Sequence, residues 1–219
     1  MIINGIKIMT LMAAVSEYGN AMKSLDINPH IIGVGPIEST LNATYLISKA
    51  IAENSKPDII INVGSAGSST LTQGNLYQIK SVSYRDMDAS PFGFAKGETP
   101  FVDYPSIFEM PTLFDHYPTA TLSTGANIID KNGSTGTKFD DLQEDCVDME
   151  TYAVKRVGDF FNIPVIGLRG ISDGKEQVEG IESWEKYLSV IDVEIADYYK
   201  KLYENSAALV TLSSQAAQG

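Results

Sequence analysis

The chain has 219 residues, 43% of them hydrophobic and 20% charged, which is the balance of an ordinary folded globular protein rather than a disordered one. Sixteen Lys and Arg against 28 Asp and Glu give a net charge of −12, a field that repels phosphate backbones and anionic lipid, so neither nucleic acid nor a membrane surface is an expected partner. At roughly 150 residues per domain the length allows one large or two small domains, either able to bury a sizeable core.

Taken in chain order, the first apolar stretch, IMTLMAAV at 8–15, has the length of a signal-peptide core. Only Lys7 precedes it as a basic residue, and Ser16 and Glu17 follow at once, so a buried first strand is the better reading. Continuous apolar runs at 6–14, 30–34, 58–63, 76–84, 120–123, 146–149 and 164–171 predict strands buried on both faces. Helical spacing predicts helices over 17–25, 37–53, 151–161 and 181–203, with a short one near 137–142. The segment 88–118 is long, aromatic and turn-rich, as in a loop that closes a site. No linker divides the chain, so one α/β domain over 1–204 is expected, followed by a frayed tail over 205–219 (NSAALVTLSSQAAQG).

The side chains that carry chemistry sit at the ends of these runs. The only cysteine, Cys146, cannot form an internal disulfide, and the two histidines, His30 and His116, lack zinc-site spacing; a reduced, cytoplasmic setting and chemistry without metal or cofactor are expected. Gly33-Val34-Gly35 precedes a helix, but the third glycine of a dinucleotide fingerprint would fall on Glu38, so the pair marks close backbone approach either to a ligand or to a packed helix. The small residues of 62–67 (NVGSAG) emerge at the carboxyl end of a strand, where open α/β sheets bind ligands, though a tight turn would use the same glycines. Glu150 sits between a strand and a helix, where a first-turn helix role is equally natural. Asp173, in ISDG, suits a turn, and Glu17 suits a helix start. Taken together, Glu17, Ser65, Glu150 and Asp173 follow four inferred strands, and a parallel sheet would gather them on one edge.

Five segments in order, PDIIINVGSAG (57–67), the stretch 84–97 with its FGF, LSTGANII (122–129), VDMETYAV (147–154) and IPVIGLRGISDG (163–174), resemble the nucleoside phosphorylase/nucleosidase superfamily, most closely its 5′-methylthioadenosine/S-adenosylhomocysteine nucleosidases. The resemblance covers about residues 6–200. It implies a single-domain three-layer α/β sandwich with a mixed, barrel-like central sheet, and hydrolysis of the N-glycosidic bond of an adenine nucleoside. It also implies roles: Asp173 as the acid at adenine N7, Glu17 as the base that activates water with help from Ser65 and Arg169, and Met149 and Glu150 beneath the ribose. Gly67 and Ser172 join the binding site, adenine is held near Ile128 and Ile129, and Phe92 and Phe94 complete the 5′ end from the second subunit of a homodimer. Between the first helix and Gly33 the chain is shorter than the family's usual form, which has a hairpin there. A phosphorylase of the same fold is the nearest alternative, although the acidic AAVSEYG stands where such an enzyme places its phosphate donors; a nucleoside-binding protein without catalysis is the other.

Overall fold

The computed structural model describes residues 1–129, 136–174 and 181–216. In chain order the elements are β1 (Ile2–Ile3), β2 (Ile6–Met12), a 3₁₀ turn (Val15–Glu17), α1 (Asn20–Ser24), β3 (His30–Ile31), α2 (Pro36–Ala52), β4 (Ile59–Gly67), β5 (Leu76–Tyr84) and a 3₁₀ turn (Ser90–Phe92). There follow β6 (Ile107–Glu109), β7 (Thr119–Thr124), a 3₁₀ turn (Phe139–Asp141), β8 (Cys146–Asp148), α3 (Thr151–Phe160), β9 (Val165–Asp173), α4 (Ile181–Glu185), α5 (Leu188–Glu204) and α6 (Ala207–Ala216).

The sheet closes on itself. β4 pairs in parallel with β9, β9 antiparallel with β5, β5 in parallel with β7, β7 in parallel with β8, and β8 returns antiparallel to β4 through Gly67 and Val147. Five strands therefore form a mixed barrel, and β2, with β1 and β3 beyond it, extends the sheet from β4. Helices cover both sides: Ala43 and Ile47 of α2 and Val154 and Val157 of α3 pack into one apolar cluster, while Met22 of α1, Ile195 and Tyr198 of α5 and Leu209 of α6 pack into the other. Along β4, Ile60 faces the first cluster and Ile59, Ile61 and Val63 the second, which is why the strand reads as an unbroken apolar run instead of an alternating one. This is the expected three-layer arrangement around a mixed, barrel-like sheet.

Local departures have physical causes. The helix expected over 17–25 is interrupted at Gly19, which is extended and caps α1; its lack of a side chain admits Asp192 of α5, whose Oδ2 would lie 2.2 Å from a Cβ there. That carboxylate accepts the N–H groups of Ala21 at 2.7 Å and Met22 at 3.1 Å, so α1 starts on a cap supplied from across the sequence. The helix expected over 181–203 is two, α4 and α5. The segment near 137–142 is a 3₁₀ turn, and the loop 88–118 contains the short edge strand β6. Where a frayed tail is expected from 205, residues 207–216 form α6, because Leu209 finds a fully buried place in the second cluster.

Replacing Asp192 by Ala leaves two amides at the start of α1 without their acceptor, a loss of about 1–3 kcal/mol. At roughly 2–4 °C per kcal/mol for a chain of this size, a thermal melt followed by circular dichroism should show a midpoint several degrees lower. An unchanged midpoint would mean that Asp192 does not hold α1.

Candidate active site

One cavity of about 590 Å³ lies where the carboxyl ends of the strands converge. The sheet is mixed, so a common edge is not automatic; the crossing of β4 and β8 at Gly67 and Val147 brings their carboxyl ends together. Glu17, Ser65, Gly67, Ile128, Ile129, Met149, Glu150, Ser172 and Asp173 all line this cavity, joined by Trp184 of α4 and Arg85. Nine of the twelve residues expected in a site thus meet.

Glu17 is buried in the turn after β2 and reaches across to β4. Its Oε1 accepts both the amide N–H and the hydroxyl of Ser65, each at 2.7 Å, whereas among the described residues Oε2 accepts only the Ala14 amide, at 3.3 Å. A Cβ at Gly64 would lie 3.1 Å from Glu17 Oε1, so the glycine leaves room for the carboxylate against the strand. The small residues of 62–67 serve this approach and the cavity wall together.

Asp173 ends β9. The register between β4 and β9 slips by one residue, Ala66 facing Ile171 and Gly67 facing Asp173. An extra residue in a strand breaks its alternation, which lets the consecutive side chains of Ser172 and Asp173 both line the cavity. The Ser172 hydroxyl donates to Asp173 Oδ1. Burial pushes the Asp173 carboxyl above its usual range, against the opposing pull of that hydroxyl. Gly174, at φ +113°, follows with Ser68 backbone 2.6 Å from where a Cβ would stand, so only glycine lets the chain turn away there.

Glu150 stands at the start of α3, and its Oε1 accepts the Gly35 amide at 2.8 Å. The Gly33-Val34-Gly35 turn is thereby explained: Gly33 packs against Glu38 of its own helix, Val34 lines the cavity, and Gly35 donates to a site carboxylate. Burial first, then the neighbouring Asp148 carboxylate, push the Glu150 pKa up to about 7, opposed by the Gly35 bond and by Arg169.

Arg169 requires a correction. It is fully buried and does not line the cavity. Its Nε and Nη2 donate to Asp148 Oδ2 at 3.0 and 2.8 Å, Nη2 also to Asn62 Oδ1 at 2.6 Å, and Nη1 to the carbonyls of Asn62 and Leu168 at 3.1 and 3.0 Å. A guanidinium has five N–H donors, and all five are committed, so none remains to hold a water. Phe92 and Phe94 also stand away from the cavity of this chain: Phe92 is 86% exposed, and Phe94 packs edge-on against Phe101.

Arg85 and Trp184 are among the cavity residues that escape sequence reasoning. Arg85, buried just past β5, donates from Nη1 to the carbonyls of Ser123 and Asp148 at 2.6 and 2.9 Å, and from Nη2 to that of Asn127 at 2.5 Å. It clamps the loop after β7 to the end of β8, and a charged residue straight after an apolar strand was the signal for it. Trp184 gave no comparable signal; it donates its indole N–H to Ser65 Oγ at 2.7 Å.

A family model described as the phosphorylase superfamily matches residues 27–192. The chain belongs to that superfamily. Within the superfamily, it is 30% identical over 187 residues to the 5′-methylthioadenosine/S-adenosylhomocysteine nucleosidase of Buchnera aphidicola subsp. Schizaphis graminum, covering 78% of this chain and 76% of that one, which sets it in the nucleosidase family. The superfamily fold recurs in the Campylobacter jejuni nucleosidase of the same name, with a TM-score of 0.74 at 19% identity over 92% of this chain and 100% of the other. It recurs too in the futalosine hydrolase of Helicobacter pylori strain 26695, with a TM-score of 0.73 at 20% identity over 91% and 97%.

The raised Glu150 pKa has a consequence for stability. The folded state holds a proton that the unfolded chain releases near pH 4.5, so between that value and about pH 7 stability falls as pH rises, by an amount on the order of 3 kcal/mol. Glu150→Gln keeps the acceptor for Gly35 and removes the charge. Its melting temperature should exceed the parent's above pH 7, with the difference closing towards pH 5; a difference independent of pH would contradict this account.

Proposed function

We propose that this phosphorylase-superfamily protein is an N-ribosyl hydrolase that releases adenine from 5′-methylthioadenosine, S-adenosylhomocysteine and related 5′-substituted adenosines. The observation that carries the reading is the division of labour around one cavity: a buried carboxyl inclined to hold a proton, Asp173, and a carboxylate with one lightly engaged oxygen, Glu17. In this reaction Asp173 gives its proton to N7 of the base, the C1′–N9 bond breaks with its electron pair going to the base, and water adds to C1′ while Glu17 Oε2 takes a proton from it. A glycosidic bond needs such a pair, an acid on the leaving group and a base on the water. Glu150, over Met149, accepts hydrogen bonds from the ribose hydroxyls, and Ile128 and Ile129 flank the base. Ser65, Gly67 and Ser172 shape the wall.

Hydrolysis is favoured over phosphorolysis by charge. Among the described residues, Arg85 is the one basic side chain lining the cavity, and its Nη groups are spent on carbonyls; Glu17 repels an anion. Incubation with methylthioadenosine, S-adenosylhomocysteine and inosine, with and without phosphate, should release adenine from the first two in phosphate-independent fashion. A sugar 1-phosphate as the main product would make the protein a phosphorylase, and no turnover at all would make it a binding protein. Asp173→Asn should lower kcat by about 10²–10⁴-fold while substrate binding changes far less; near-parental turnover would remove Asp173 from the acid's role.

The same reading includes a homodimer. Ile37, Leu41 and Tyr45 form an exposed stripe along α2, and Phe92 and Phe101 are 86% and 95% exposed. The stripe starts one turn from Val34, which lines the cavity, so a second copy seated there would cover this apolar surface and bring Phe92 and Phe94 to the 5′ end of its neighbour's site. Cys146, buried and with its thiol pushed up by burial, suits a reduced cytoplasmic compartment. Phe92→Ala should raise KM for methylthioadenosine more than for adenosine. Sedimentation as a fully active monomer at micromolar concentration would end the dimer proposal.

A further inference from the structure

The surroundings of Glu17 include a group that the hydrolase reading leaves without a part. Trp184 Nε1–H donates to Ser65 Oγ at 2.7 Å, and Ser65 Oγ lies 2.7 Å from Glu17 Oε1, which also accepts the Ser65 amide at 2.7 Å. A hydroxyl has a single proton and can rotate it. With the indole on one of its lone pairs, that proton is turned to the carboxylate. An indole N–H removed from bulk water usually finds some partner; what gives this one a consequence is that Ser65 then supplies both of its donors to the same carboxylate oxygen.

We propose that Trp184 is a positioning residue for the hydrolytic step: its indole N–H locks the Ser65 hydroxyl onto Glu17 Oε1 and leaves Glu17 Oε2 as the oxygen that receives the proton of water. The proposal rests on Glu17 being the base in the hydrolase reading. It also links α4 to the chemistry. α4 lines the cavity with Ile181 and Trp184 and packs against β9, and its hydrogen bond to Ser65 of β4 completes the chain, so the base is fully oriented only when α4 is in place.

The only tryptophan of the chain is Trp184, so a uniformly ¹⁵N-labelled sample has one indole N–H signal. Ser65→Ala should move that signal upfield and speed its exchange with water. Trp184→Phe keeps an aromatic ring in the wall and removes the donor. On methylthioadenosine it should lower kcat by about 3- to 10-fold, with KM held within about twofold. In a Ser65→Ala background the same change should cost almost nothing further, since the two groups act through one contact.

An indole signal unmoved by Ser65→Ala overturns the proposal. So does a Trp184→Phe variant whose loss lies in KM alone, because the ring would then be only a wall for the ligand, and so do losses that multiply independently in the double variant. A parental protein that releases no base from any nucleoside overturns the hydrolase reading together with the catalytic half of this proposal, whereas an active parent with a parental rate in Trp184→Phe overturns the proposal alone.

Discussion

The ion pair between Arg169 and Asp148, 2.8 Å apart and almost wholly buried, is the interaction on which the rest of the site depends. Burying two charges costs several kcal/mol per ion unless their remaining donors and lone pairs are satisfied. Here they are: Arg169 spends all five donors on Asp148, Asn62 and Leu168, and Asp148 also accepts from the Thr124 hydroxyl and the Thr151 amide. The network ties β4, β7, β8 and β9 together with the first residue of α3. A mixed barrel has no common carboxyl edge of its own, and this knot, with Arg85 clamping the loop after β7, holds the convergent ends in one arrangement.

Its electrostatic cost is passed to Glu150. Two residues from Asp148 and equally short of solvent, Glu150 feels that second negative charge more than it feels the Arg169 cation already engaged by its neighbour. The Gly35 amide, at the start of α2, offsets part of this. The helix start therefore has two duties, opening α2 and holding a carboxylate that the apolar surroundings would prefer protonated. Strain of this kind is common at functional sites, and here one group that carries it is proposed to accept hydrogen bonds from sugar hydroxyls.

Asp173 and Glu17 stand in different surroundings. Asp173 has burial and a single hydroxyl donor, and its carboxyl is displaced upward. Glu17 has three donors, two short ones on Oε1 and a long one on Oε2, an asymmetry that distinguishes its oxygens. The register slip at the end of β9 contributes by turning Asp173 to the cavity beside Ser172.

Much of this was legible in the amino-acid sequence. Apolar runs located seven of the strands, six of them because largely buried strands need continuous hydrophobicity, the seventh, β3, being an exposed pair of residues, and the chemistry-bearing residues Glu17, Ser65, Glu150 and Asp173 do meet in one cavity. Five motifs in order identified the superfamily. β1 and β6 were not marked by any of the predicted apolar runs, and α6 escaped because its one buried anchor, Leu209, draws its meaning from a cluster built by distant residues. The parts of the site that only tertiary structure decided are those set by partners far along the chain. Arg169 looked like a water ligand until its five donors were found spent, Gly33-Val34-Gly35 stayed ambiguous until Glu150 was found 115 residues away, and nothing near Trp184 in sequence points to Ser65, 119 residues before it. Periodicity and strand ends are local properties and can be read from order alone. Which donor meets which acceptor across a closed barrel depends on strand register, and register is settled only when the whole core packs.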